Sequence, residues 1–309
     1  MRTSFEDEVT RNETVKELAR SAPIHNILMA TDFSSCSRRA LGYAISIAKR
    51  SGAMLHLFHW VDPSKYALAG ADMLHAATEA TWRDLQQLDA DLHFTGLLQG
   101  TSDQILTHTG DLSHVLSRVI AERQIDLVVV GTHGRTGLRK VIMGSVAERI
   151  FRQASCPVLT VGPKIRQLRS NGREPRTILF PTDFSLRSKA AEPYAFSLAR
   201  ASGYRLMLLH ALEHQPQACF AAKQELREAR RKLNLISRRE GWGSDEPSLQ
   251  VKIGPAADVI LRMAEEHRAD LIVLGVRSPY YMSDRLMWPN AYRIMYQSSC
   301  PVLTVRTPN

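Results

Sequence analysis

The chain has 309 residues, 44% of them hydrophobic and 23% charged, which is the balance of a globular protein and enough length for two domains of roughly 150 residues each. A mainly disordered or fibrous chain is excluded, and no apolar run approaches the ~18 residues of a membrane-spanning helix. Net charge is +9, from 40 basic and 31 acidic residues, split as +1 over residues 1–165 (18 − 17) and +8 over residues 166–309 (22 − 14). A basic surface keeps a protein soluble and can also attract polyanions, so nucleic acid stays open as a partner of the second half.

Residues 1–22 carry five acids and no continuous apolar stretch. They read as an N-terminal extension and not as a signal peptide. Four widely spaced cysteines, Cys36, Cys156, Cys219 and Cys300, form no metal-binding or disulfide pattern and point to the cytoplasm.

From residue 23 onward, short apolar strands alternate with helical patterns. Ile27–Ala30 reads as a strand. Ser37–Ser51 reads as a helix with Leu41, Ala44, Ile45 and Ala48 on one face and Gly52 as its stop. Met54–Val61 is a second strand, Ala71–Leu92 a helix, and a third strand ends before Gly110. Leu112–Arg123 is a helix that Asp111 can cap, Leu127–Val130 a buried strand, Val146–Gln153 a helix and Val158–Val161 a last strand. The pattern then repeats over Ile178–Phe180, Arg205–Leu212, a very basic helix near Ala218–Glu240, Leu249–Ile253, Leu271–Leu274 and Val302–Val305. Thr31-Asp32-Phe33-Ser34 recurs at 182–185, and Ser155–Val161 recurs unchanged at 299–305. This is a duplicated α/β domain with parallel strands. The boundaries are 23–163 and 176–309, with a basic linker at 164–175.

The chemical signal is a loop between a buried strand and a helix. Gly131-Thr132-His133-Gly134 is followed, nine residues on, by Gly144-Ser145. Glycines let backbone N–H groups approach an anion, and the helix that begins near Gly144 offers unpaired N–H groups and the positive end of its dipole. Ser145 adds a hydroxyl for a terminal phosphate or a metal-bound water. Arg135, Arg139 and Lys140 add positive charge. The loop is neither a P-loop nor a Rossmann fingerprint.

The pattern G-x2-G-x9-G-S, a first strand running into Thr-Asp-Phe-Ser and a closing Cys-Pro-Val-Leu-Thr-Val strand together resemble the universal stress protein family, in tandem, over about residues 23–163 and 174–307. The resemblance implies two doubly wound domains, each an open five-stranded parallel sheet of order 3-2-1-4-5 with helices on both faces. It also implies an ATP site, with Mg, where the strand order reverses. In ATP-binding relatives the residues matching Ala30, Thr31, Asp32, the backbone of Trp60, Val130, Gly131, Gly134, Arg135, Gly144, Ser145 and Val146 surround the nucleotide. Asp32 has a second reading, as a cap of the helix that follows it. The closing strands are implied to pair the two domains within the chain, and a homodimer is compatible with the family.

In the second half the loop reads Gly275-Val276-Arg277-Ser278, nine residues, then Trp288-Pro289. Ser278 restricts positive φ, Trp288 occupies phosphate space and Pro289 has no N–H. This copy is expected to hold no ATP, its cleft filled by Tyr280, Tyr281 and Trp288. No nucleophile, metal cluster or catalytic base stands out. The sequence therefore predicts one ATP per chain, bound in the first half, and a stress-response role through partner interactions, with slow hydrolysis compatible. The alternatives are a nucleotide-independent scaffold and a nucleic-acid binder that uses the basic second half.

Overall fold

A computed structural model describes residues 24–132, 143–165, 177–213, 219–239, 246–277 and 289–307. The chain divides into two compact units, Met1–Val161 and Gly162–Asn309.

In the first unit the order is β1 (Asn26–Ala30), α1 (Ser35–Ser51), β2 (Met54–Val61), a short 3-10 turn (Pro63–Tyr66), α2 (Ala71–Phe94), β3 (Asp103–Thr109), α3 (Leu112–Glu122), β4 (Leu127–Gly131), α4 (Ser145–Gln153) and β5 (Val158–Val161). All strand pairs are parallel. β1 lies between β2 and β4, while β3 adds to β2 and β5 to β4. The second unit repeats this with β6 (Thr177–Pro181), α5 (Leu186–Ser202), β7 (Arg205–Leu212), α6 (Cys219–Arg239), β8 (Ser248–Ile253), α7 (Ala256–Glu266), β9 (Leu271–Val276), α8 (Pro289–Gln297) and β10 (Val302–Arg306). β6 lies between β7 and β9, with β8 and β10 outside them.

The apolar runs become buried strands, as a parallel sheet requires. Every residue of β4 is buried, as are Ile27 to Ala30. Local signals set the helix ends. Ser34 caps α1 by accepting from the Ser37 N–H at 3.1 Å, and Gly52 ends α1 in the left-handed conformation at φ 67°. Asp111 caps α3 through the His114 N–H at 3.1 Å.

The repeated aspartate before β4 has a structural role. Asp126 accepts the backbone N–H groups of His25 at 2.7 Å and Asn26 at 2.9 Å, which fixes the start of β1 against β4. Its counterpart Asp270 accepts from Thr177 at 2.9 Å at the start of β6.

No helix of the described residues is long and apolar enough to cross a membrane.

Candidate nucleotide site

The strand order of the first unit reverses between β1 and β4, and a crevice forms at the carboxyl ends of such strands. The loop Thr31–Ser34 stands there. Phe33 adopts φ 62°, and its counterpart Phe184 the same φ. A left-handed aromatic is uncommon and persists only where its surroundings hold it. Here Phe33 N–H donates to Thr31 Oγ1 at 3.0 Å, and the Phe33 ring lies 5.3 Å from that of His59. His59 Nδ1 donates to the Thr31 carbonyl at 2.7 Å, which places the ring proton on Nδ1. His210 makes the same bond to Thr182 at 2.8 Å. His59 thus fastens the loop from β2. His56 is buried, and burial together with the nearby Arg123 guanidinium lowers its pKa.

Asp32 is half-buried and does not cap α1, because Ser34 does. Its carboxylate accepts the Ser34 N–H at 3.0 Å, and this is its one hydrogen bond among the described residues. Asp183 differs. It accepts from the Ser185 N–H, the Ser185 and Ser188 hydroxyls and, at 3.3 Å, Arg187. Burial alone would raise its pKa, but the two hydroxyls, the Ser185 N–H and the Arg187 charge more than offset this and lower it. One copy of the aspartate has oxygen lone pairs to offer, whereas its twin is taken up by its own chain.

Gly131 has a packing role of its own. A Cβ built there would lie 2.7 Å from backbone atoms of Cys36 and Ser37, so glycine is needed for α1 to pass close over the end of β4. Gly275 is similarly crowded by the backbone of Arg187 and Ser188. These two glycines carry packing and do not by themselves indicate a ligand. Gly144 has φ −58° and donates to the Thr132 carbonyl at 2.9 Å, which ties the start of α4 to the end of β4. No side chain caps α4 among the described residues. Ser145 is exposed and Val146 half-buried, so this turn can present N–H groups to an anion. The corresponding helix α8 begins with Pro289, which has no N–H.

Ala30, Thr31, Asp32, Trp60, Val130 and Gly131 come together at the strand ends, and Gly144, Ser145 and Val146 form the start of α4. Gly134 and Arg135 lie outside the described residues, as do Ser278, Tyr280, Tyr281 and Trp288.

The ring of Trp60, for which packing is one of two readings, is packed. The indole is 8% exposed, its N–H donates to the Gly110 carbonyl at 3.0 Å, and the Arg149 guanidinium lies 5.2 Å from its centroid. Arg149 also pairs with Asp111 at 3.3 Å. In the second unit Ala211 takes the place of Trp60 and Ala256 that of Leu112. Among the described residues of that unit a cavity of about 350 Å³ is bounded by Thr182, Asp183, Leu209, Ala211, Ala256 and Ile260 among others, and the expectation that Tyr280, Tyr281 and Trp288 fill the cleft falls on residues outside the described ones.

The profile of the universal stress protein family matches residues 23–162 and again 174–306. The chain belongs to the universal stress protein family. A universal stress protein of Methanocaldococcus jannaschii is 33% identical over 143 residues, which are 44% of this chain and 80% of the relative. One from Mycolicibacterium smegmatis is 24% identical over 299 residues, 94% of this chain and 99% of its own length. The crystal structure of a universal stress protein from Archaeoglobus fulgidus shares the fold with a TM-score of 0.66 at 18% identity, covering 91% of this chain and 98% of that one. Two family matches and a full-length relative agree with the duplication.

Proposed function

We propose that this universal stress protein binds one ATP per chain in its first unit, and that occupancy of the site changes how the protein engages partners. The observation that carries this is the state of Asp32. Among the described residues its carboxylate accepts one hydrogen bond, at the mouth of the crevice, while Asp183 is occupied by three neighbouring residues. A carboxylate with lone pairs left to accept at this point suits the hydroxyls of a ribose. The start of α4, with no described side chain capping it, suits the phosphates through the amides of Ser145 and Val146. Gly134 and Arg135 complete the phosphate side of this reading, and Mg with the Ser145 hydroxyl would help neutralise the phosphate charge. Ala30, Thr31, Val130 and Gly131 line the strand ends. Trp60 supplies backbone for the base, and its anchored ring supplies a wall.

The role is binding and not turnover: cleavage needs an oriented water and charge stabilisation beyond the cradle. The cytoplasm is the proposed setting.

The test is the nucleotide content of the purified protein, released by acid and counted per chain, in wild type and in Gly144→Trp. One ATP in wild type and none in Gly144→Trp supports the reading. Two per chain, or none after incubation with saturating Mg-ATP, contradicts it.

A further inference from the structure

The sequence places a dense run of basic residues in one helix, and the structure shows how they are arranged. The inner stripe of α6, Ala229, Leu233 and Ile236, is 4%, 0% and 7% exposed and packs into the core of the second unit. Lys223, Arg227, Arg230, Arg231 and Arg238 are all exposed. At about 100° per residue, these five fall within an arc of roughly 100° on the outer face. From Lys223 to Arg238 the ridge runs about 22 Å. No acid lies on that arc. Glu228 sits at its flank and binds Arg231 with two bonds of 3.0 Å, leaving Arg231 66% exposed. Among the described residues no acid pairs with Arg227, Arg230 or Arg238. Lys232 turns off the ridge toward the Phe184 ring, 5.3 Å away.

We infer that the outer face of α6 binds duplex nucleic acid through its phosphate backbone, without reading bases. Arginine forks match phosphate oxygens and keep their charge, and four of the five ridge residues are arginine. A surface that binds single strands needs aromatic platforms for the bases, and among its described side chains this ridge has none. An interfacial membrane helix needs an exposed apolar face, and the apolar face of α6 is spent in the core. A continuous ridge of fixed positive charge fits the regular phosphates of a duplex, and contact with phosphates alone carries no sequence preference. The inference is independent of the nucleotide site.

The probe is a fluorescein-labelled 20-base-pair DNA duplex of arbitrary sequence, titrated with the full chain between 50 and 200 mM salt and read by anisotropy. With four to five phosphates contacted, log K should fall against log salt with a slope of about −4. Arg227→Glu/Arg230→Glu/Arg238→Glu should weaken binding at 50 mM salt by at least ~30-fold and bring the slope toward about −1. A second duplex of unrelated sequence should bind equally. The control Lys65→Glu/Arg83→Glu/Arg262→Glu changes net charge equally on other surfaces and should bind within about 3-fold of wild type once that charge change is shared. Circular dichroism melting of both triple variants verifies folding, since all six side chains are exposed. No duplex binding at 50 mM salt would overturn the inference. So would equal losses in the two triple variants, or binding to phosphatidylserine vesicles without binding to the duplex.

Discussion

The indole N–H of Trp60 donates to the carbonyl of Gly110 at 3.0 Å, joining the end of β2 to the turn that leads into α3. Position 211 in the second unit carries alanine, and there a cavity of about 350 Å³ lies beside it. Among the described residues the chain therefore shows two forms of one crevice corner, one walled by an aromatic ring and one with alanine in its place. Trp60→Ala should destabilise the protein by about 3–5 kcal/mol, the usual range for removing a large buried aromatic. Urea unfolding followed by circular dichroism measures this. A loss under about 1 kcal/mol would mean that the ring is not a packed wall.

Asp126 holds the first residues of β1 through two backbone N–H groups. Hydrogen bonds to a charged acceptor contribute more than neutral ones, so Asp126→Ala should cost about 2–4 kcal/mol in the same assay. Asp270 holds Thr177 in the same way, and Asp270→Ala should act in the same direction on the second unit. A fluorescence or exchange readout placed on β1 should respond to the first variant, and one placed on β6 to the second.

Asp89, on α2, shows the opposite situation. Burial first, and then the neighbouring Asp103 carboxylate, push its pKa up to about 6, against some relief from His93. A raised folded-state pKa means that the native state holds a proton that the unfolded chain releases earlier. Stability from this group is therefore greatest at acid pH and declines as pH rises from about 4 through about 6. Asp89→Asn resembles the protonated acid and should remove that decline. Its melting temperature should match that of wild type near pH 4 and exceed it by roughly 2–4 °C at pH 7.5. A constant difference across this range would contradict the assignment.

Most of the fold is legible in the sequence because it rests on local rules. Strand and helix periodicity, the stop at Gly52 and the cap at Asp111 each follow from residues close in sequence. The site is less legible because its parts depend on contacts across the fold. Gly131 resembles a ligand glycine, yet the α1 backbone over β4 requires it. Asp32 resembles a helix cap, but Ser34 reaches the helix first. The left-handed Phe33 leaves no mark in composition, because the hydrogen bond to Thr31 and the stacking on His59 hold it. The contrast between Asp32 and Asp183 follows only in part from what stands at positions 36 and 187, because the hydroxyls of Ser34 and Ser37 bond within their own turn while those of their counterparts Ser185 and Ser188 turn to Asp183. Cys36 cannot pair with the carboxylate, while Arg187 does.

That contrast is the part of the account most open to direct test. Calorimetric titration of nucleotide-free protein with Mg-ATP, repeated for Asp32→Ala and Asp183→Ala, compares the two copies in one chain. The account predicts one site in wild type, a loss of at least ~10-fold in affinity on Asp32→Ala from the missing charged hydrogen bond, and no change on Asp183→Ala. An unchanged affinity on Asp32→Ala, or a loss on Asp183→Ala, would contradict it.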